Sequence, residues 1–383
     1  MTKFPVDRFR QQPTPFYYYD LSLLHRTLDE IDKASSAYYG FKVHYAVKAN
    51  YNPRILKEIS RYGLGADTVS AGEIAAAVEA GFAAGDIVFA GVGKSDEEIA
   101  YALKTGIGCF NAESVPELEA IMDIASGMGV VAPVALRVNP NIDAHTHHYI
   151  TTGLSENKFG IDMSMLAGVV DMCVASPAVS LRGLHFHIGS QITDMKPYEM
   201  LCQRINSLQD EYRGKGIIFD TINVGGGLGV DYADPDSVPM PDFKEYFDTF
   251  HRNLRLMPGQ ELHFELGRSV VAQCGSLISR VLYVKEGVKK RFAILDAGMT
   301  DLIRPALYQA HHMIENLTSQ SDETSVYDVV GPVCESSDCF GEGEMLPVTR
   351  RGDIMALRSA GAYGESMVSR YNCRRQPSSY FSE

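Results

Sequence analysis

The sequence is short of positive charge: 35 Lys and Arg stand against 48 Asp and Glu, a formal net charge of −13. Nucleic-acid and anionic-membrane surfaces need clustered basic residues, so neither partner is expected. One small basic cluster at residues 370–375 does not alter that. No apolar run approaches the roughly 20 residues of a membrane span. Residues 1–12 are charged and lack the apolar stretch of a signal peptide. The seven cysteines are an odd number without a compact framework, so they read as reduced thiols of a cytoplasmic protein. Internal repeats and low-complexity segments are missing as well.

What is present is an alternation. At 383 residues the chain is too long for one small core and suits two domains. Short β-branched runs fall at residues 43–47, 65–69, 87–90, 107–110, 134–138, 181–186, 217–224 and 262–264. Amphipathic stretches of helical period lie between them, at 53–62, 71–80, 96–104, 115–128, 163–174 and 197–212. Ser70 before Glu73 and Ser95 before Glu98 fit N-terminal capping boxes. Eight strands separated by helices predict an α/β fold, a closed parallel (β/α)8 barrel of TIM type. An open doubly wound sheet is the alternative. After about residue 267 the pattern turns to strands, at 276–284, 291–296, 327–330 and 353–357, with little helix between. A strand-like run at 16–19 is placed to pair with that C-terminal sheet, and residues 318–324 read as an exposed loop. The expected division is a barrel over residues 22–266 and a β-rich domain made of 1–21 and 267–383.

Chemistry gathers at the ends of the barrel runs. Lys48 follows the first, Asp67 closes the second, and Arg137 with Asn139 closes the fifth. His187 closes the sixth, Gly225-Gly226-Gly227 the seventh, and Glu265 with Arg268 the eighth. In a parallel barrel these ends open on one face, where active sites of this architecture form. Lysine, carboxylates, a histidine, arginines and a glycine loop suit an aldehyde cofactor that carries a phosphate. Each signal also has a plain reading. Lys48 alone reads as a solvated lysine, and a glycine run often serves only a tight connection. His185 and His187 are taken to face opposite sides of a strand, which argues against a shared metal. Cys334 and Cys339 lack a second pair at zinc spacing, so no metal is expected. Cys109, Cys173, Cys202 and Cys274 lie in apolar surroundings and read as core residues.

At these residues the sequence resembles the fold-type III pyridoxal-phosphate enzymes, the ornithine, arginine and diaminopimelate decarboxylases related to alanine racemase. Tyr45-Ala46-Val47-Lys48-Ala49-Asn50 is similar to the family's cofactor-lysine motif, which implies that Lys48 is the Schiff-base residue. His187-Ile188-Gly189-Ser190-Gln191 resembles the ring-stacking motif, with Ser190 on the phosphate. Gly225-Gly226-Gly227-Leu228-Gly229 is similar to the phosphate loop, which puts Gly226 and Gly227 among the cofactor contacts. Glu265-Leu266-Gly267-Arg268 stands where the family usually has Glu-Pro-Gly-Arg; the chemically active Glu265 and Arg268 are kept, and Leu266 is a departure. Arg304-Pro305-Ala306-Leu307-Tyr308, Cys334-Glu335-Ser336-Ser337-Asp338 and Asn157-Lys158-Phe159-Gly160-Ile161 resemble the diaminopimelate-type members. Gly361-Ala362-Tyr363-Gly364 is similar to a tyrosine motif that touches phosphate and substrate, and Tyr371-Asn372 follows it.

The resemblance implies an alanine-racemase-like barrel with a C-terminal β-rich domain that completes the active site and the dimer interface. It implies pyridoxal 5'-phosphate as cofactor, held by Lys48, Asp67, Arg137, His187, Ser190, Gly226, Gly227, Glu265, Gly267, Arg268 and Tyr363. Lys48, His187 and Cys334 are the implied catalytic residues, with Cys334 returning the proton after carbon dioxide leaves. Asp67 is expected to orient His187 or Lys48. Arg268, Arg304, Tyr308, Glu335 and Tyr363 are the implied substrate contacts. The implied reaction is decarboxylation of meso-2,6-diaminopimelate to L-lysine in a homodimer with shared sites. A related decarboxylase acting on arginine, ornithine or a D-amino acid is the alternative.

Overall fold

The structure, a computed structural model, describes residues 4–142 and 158–383. Residues 1–3 and Asn157 of the 157–161 motif lie outside the described residues. After a single helical turn at Val6–Phe9 come strand β1 (Phe16–Tyr19) and a helix, Leu21–Ser35. Eight parallel strands then close into a barrel: β2 (Phe41–Ala46), β3 (Gly65–Thr68), β4 (Ile87–Phe89), β5 (Cys109–Ala112), β6 (Ala132–Arg137), β7 (Val179–His185), β8 (Thr221–Asn223) and β9 (Glu261–Leu266). Pairing of β9 with β2 sets Glu265 beside His44 and shuts the ring. Every expected strand is present, and closure excludes the open sheet.

The local reasons for the alternation are legible. Ser95 accepts from the Glu98 amide while Glu98 reaches back to the Ser95 amide, a complete capping box on helix Asp96–Thr105. At helix Ala71–Ala80 Ser70 caps the Glu73 amide, but the Glu73 carboxylate accepts from Val69 N at 2.8 Å instead, so that box is only half made. Gly81, Gly106 and Gly129 end three of these helices in the left-handed conformation that favours glycine.

The helix between β8 and β9, Phe243–Asn253, was not foreseen. Its signal is Phe243, Tyr246, Phe247 and Phe250 at spacings of one helical face, with Asp242 capping the Glu245 amide at 2.8 Å. That face packs on Phe264 of β9, with ring centroids at 4.9 Å from Phe247 and 5.2 Å from Phe250. Each such aromatic pair contributes about 0.5–1.5 kcal/mol beyond area burial.

Compact packing divides the chain into two units. One comprises residues 28–229 and 242–267; the other comprises residues up to 27, 230–241 and 268 onward. Residues 230–241, assigned to the barrel from sequence, therefore group with the β-rich unit. That second unit adds β10 (Gly275–Glu286), β11 (Arg291–Leu295), β12 (Ile314–Asn316), β13 (Thr324–Val330), β14 (Cys339–Pro347), β15 (Ile354–Leu357) and β16 (Ser378–Phe381). Its sheet runs β12-β15-β10-β11-β13-β14, and β1 pairs antiparallel to β10 and parallel to β16. The expected pairing of the N-terminal strand is thus present. Strands β12, β14 and β16 were missed. β14 stands at the sheet edge and reads Cys-Phe-Gly-Glu-Gly-Glu-Met-Leu-Pro, a charged, glycine-broken pattern without an apolar run. In β1, Tyr17 donates to the Asp301 carbonyl and Tyr19 donates to Glu365 Oε2 at 2.6 Å, so these two fully buried tyrosines still satisfy their hydroxyls. No described helix is long and apolar enough to cross a membrane.

Candidate active site

In the barrel unit the polar side chains cluster where the strands end. Lys48 sits in the one-turn helix after β2, half-buried, with Nζ 3.1 Å from Asp67 Oδ2 on β3. Of the two residues that Asp67 was expected to orient, Lys48 is the one it bonds. Asp67 is fully buried, and its Oδ1 has no hydrogen-bond partner among the described residues. Burial, together with the charge of Glu265, raises its pKa to about 6 against the opposing pull of Lys48.

Glu265, penultimate in β9, is 7% exposed and takes three hydrogen bonds. His185 Nε2 lies 3.1 Å from Oε2; Asn111 Nδ2 and Asn223 Nδ2 donate to Oε1 at 3.1 and 2.8 Å. Burial alone would favour the neutral acid. The opposing attraction of His185, followed by Lys48, wins and holds Glu265 well below the usual carboxylate range. An ionised carboxylate only accepts, so His185 Nε2 carries a proton. Asn111, His185 and Asn223 were missed from sequence. His185 and Asn223 end barrel strands and Asn111 stands one residue before the end of β5, so the signal was available, but the expected strand ends lay elsewhere along these runs.

His187 was expected to close the sixth strand and to point away from His185. Strand β7 stops at His185, and residues two apart on a strand share a face, so that expectation was mistaken. Each ring follows its own partner. Gly226 N donates to His187 Nδ1 at 3.3 Å, which leaves the remaining ring proton on Nε2. Burial, with Arg137 and Lys48 nearby, lowers the His187 pKa well below its ordinary value, so the ring is neutral. Ser190 is half-buried three residues on.

The glycine loop is dictated by close approach. A Cβ on Gly226 would stand 1.9 Å from the Glu265 carbonyl oxygen, and Gly225 has φ of +67° with a Cβ position 2.5 Å from the Phe186 carbonyl. Gly227 is in the same loop, and a Cβ there would meet the Gly189 carbonyl at 2.6 Å. Gly267 packs against Ala46 and Ala49, where a Cβ would meet theirs at 3.0 and 3.1 Å. Arg137, at the end of β6, gives Nη1 to Glu113 Oε1 at 2.8 Å, and both are buried. Glu113 also accepts from Gly91 N at 2.8 Å, and its Oε2 has no partner among the described residues.

The β-rich unit carries a second cluster. Arg268 Nη1 donates to the Tyr232 hydroxyl at 2.7 Å, and its guanidinium stands 4.9 Å from the Tyr363 ring centroid. Arg304 opens helix Arg304–Tyr308, is 5% exposed, and lies 4.7 Å from the Tyr232 ring centroid. Tyr308 ends that helix half-buried. Tyr232 was missed because it sits in the 230–241 segment, which the sequence reading left without a role. Cys334 and Glu335 are exposed on the turn before β14. Asp338 holds that turn, accepting from Met299 N at 2.6 Å and Val333 N at 2.7 Å. Glu335 Oε1 accepts from Tyr371 at 2.7 Å. Cys173, Cys202 and Cys274 are buried, as expected of core thiols, and Cys109 is half-buried.

A lysine paired with a buried aspartate, an ionised carboxylate in a polar cage, a fixed neutral histidine and a backbone-only glycine loop make this a (β/α)8 enzyme barrel fitted to a phosphate-bearing aldehyde cofactor. The donor set and the lone Asp67 Oδ1 both fit that group. The chain belongs to the pyridoxal-dependent decarboxylases: residues 24–272 match the family described as pyridoxal-dependent decarboxylase, pyridoxal binding domain. Pyridoxal phosphate is its cofactor. The chain is 58% identical over 380 residues to diaminopimelate decarboxylase of Bacteroides thetaiotaomicron, covering 99% of this chain and 98% of that one. It is similar to the structure of Helicobacter pylori diaminopimelate decarboxylase complexed with L-lysine, with TM-score 0.92, 40% identity, and coverage of 99% and 94% of the two chains. A Vibrio vulnificus lysine/ornithine decarboxylase shares the fold, with TM-score 0.85 at 20% identity over 99% of this chain and 97% of that one.

Proposed function

We propose that this chain removes one carboxylate of meso-2,6-diaminopimelate to give L-lysine and carbon dioxide. The observation that carries this reading is Arg304: a guanidinium 5% exposed, with no carboxylate partner among the described residues. A buried, unbalanced cation costs several kcal/mol, which an anionic ligand group offsets. Diaminopimelate has a second amino-acid centre whose carboxylate suits that role; arginine and ornithine have none at that end.

Bound pyridoxal phosphate supplies an electron sink for the carbon that loses carbon dioxide. Lys48 is the amine that holds the cofactor, and Asp67 fixes its Nζ at 3.1 Å. Glu265, kept ionised, favours a protonated ring nitrogen. His187, locked by Gly226 N, would hold the cofactor ring. Ser190, Gly226, Gly227 and Tyr363 would hold the phosphate, and Gly267, Arg268 and Arg137, the last paired with Glu113, would complete the cofactor contacts. Arg304, with Arg268, takes the distal carboxylate, where a two-point fork discriminates by geometry as well as charge. Glu335, steadied by Tyr371, takes the distal ammonium, and Tyr308 adds a hydroxyl contact. The Cys334 thiol gives its proton to the carbon that carbon dioxide leaves.

The working unit is a homodimer in which Cys334 and Glu335 of one subunit serve the other. Mixing Lys48→Ala with Cys334→Ala subunits then restores activity; absence of recovery counts against sharing. The enzyme works in the cytoplasm, a reading supported by seven cysteines without a disulfide framework. The function is tested by carbon dioxide release and lysine formation from diaminopimelate beside arginine and ornithine. Turnover of either of the latter would replace the substrate and keep the cofactor. Arg304→Ala should raise KM for diaminopimelate strongly; an unchanged kcat/KM removes Arg304 from the site.

A further inference from the structure

Arg304 is held by a group that the proposed reaction does not use. Its Nη1 lies 2.8 Å from Nε2 of His312, and His312 Nδ1 lies 2.8 Å from the carbonyl oxygen of Arg358. A guanidinium only donates and a carbonyl only accepts. The imidazole therefore has its proton on Nδ1 and its lone pair on Nε2, aimed at Arg304. His312 is fully buried, and burial beside Arg304 lowers its pKa to about 3, so the accepting form persists at any working pH.

The arrangement behind His312 is anchored in turn. Arg358, 4% exposed, is gripped by Asp236 at 2.9 Å and Glu315 at 2.7 Å. Asp236 lies in the 230–241 segment that also supplies Tyr232, whose ring stands 4.7 Å from the Arg304 guanidinium and 5.2 Å from the His312 ring. A chain of contacts thus runs from two carboxylates through Arg358 and His312 to Arg304. A carboxylate at the His312 position would neutralise Arg304 and compete with an anionic ligand. A neutral acceptor directs the guanidinium and leaves its charge available.

We propose that His312 is the positioning residue of the distal-carboxylate clamp, holding Arg304 in place without quenching its charge. The inference rests on the reading of Arg304 given above. Its effect falls on recognition of the distal carboxylate and spares the chemical step. Because decarboxylation removes only one carboxylate, L-lysine keeps the distal one, whereas 1,5-diaminopentane lacks it. The two compounds separate a clamp effect from general damage.

The test compares His312→Asn with His312→Gln. Asparagine reproduces the donor to the Arg358 carbonyl and loses the acceptor for Arg304; glutamine reproduces the acceptor. With H312N, KM for diaminopimelate and the inhibition constant of L-lysine should rise about ten- to hundred-fold, the loss expected for a buried hydrogen bond to a charged group. Its kcat and its inhibition by 1,5-diaminopentane should stay within about three-fold, and H312Q should restore lysine affinity. Equal weakening of both inhibitors, or equal failure of the two variants, would assign His312 a purely structural part and overturn the proposal. Should H312N not fold, H312Q alone decides: retained preference for lysine over 1,5-diaminopentane supports the proposal, and lost preference sinks it. Unchanged lysine inhibition in Arg304→Ala would show instead that the clamp itself was misread.

Discussion

His185 Nε2 donates to Glu265 Oε2 at 3.1 Å, inside the barrel, with both side chains 5% exposed or less. This bond is the largest attraction that keeps Glu265 charged against burial. His185→Phe should therefore raise the proton affinity of Glu265, leaving only Asn111 and Asn223 to hold it. We expect kcat/KM to fall about ten- to hundred-fold, with the acid limb of its pH profile moved to higher pH. A profile with an unmoved acid limb would separate His185 from the ionisation of Glu265.

The Glu113–Arg137 pair is predicted to matter for stability. Its side chains are 1% and 9% exposed at 2.8 Å, beside a second buried pair, Lys94–Glu117, at 2.6 Å. Arg137→Met strands a buried carboxylate and should cost about 3–5 kcal/mol in urea unfolding. Adding Glu113→Gln keeps an acceptor for Gly91 N and removes the stranded charge. The double variant should regain part of the loss; a double variant as weak as the single one would contradict this account.

Asp338 should control activity from outside the chemistry. Its two carboxylate oxygens bond the amides of Met299 and Val333, and a Cβ on Gly331 would lie 2.3 Å from Oδ2. Asp338→Ala leaves both amides unsatisfied and frees the turn that carries Cys334 and Glu335. Turnover should drop at least about ten-fold while the cofactor's visible absorbance is retained. Loss of the absorbance instead would point to general unfolding.

Glu73 gives a pH signature. Burial, the largest cause, and the nearby Asp67 raise its pKa from 4.5 to about 7, against the opposing Val69 amide. A folded-state pKa above the unfolded one means that stability present below the unfolded value is lost as pH rises through about 7. Glu73→Gln should thus raise Tm at about pH 8 and change it little at about pH 4. The reverse order in thermal melts would refute the assignment.

Lys48, Asp67 and Glu265 were legible because strand ends of a parallel barrel converge by construction, so a charged residue after an apolar run is informative. Asn111 and Asn223 were harder: neutral amides become significant only when a carboxylate is found within reach of both. Leu266, in place of the usual proline, is fully buried and still pairs with Tyr45 of β2, so the departure leaves Glu265 in its strand. His312 and Tyr232 were out of reach, since residues 80 apart in sequence give no local pattern for a shared guanidinium.

By itself, the sequence determined the alternation that makes the barrel, because hydrophobic period and helix caps act within a few residues. It also determined the residue types at the strand ends. The tertiary structure alone decided their states: which proton His187 and His312 carry, that Glu265 stays ionised, and that Asp67 faces Lys48. Hydrogen bonding and burial set those states, and both depend on neighbours that lie far apart along the chain.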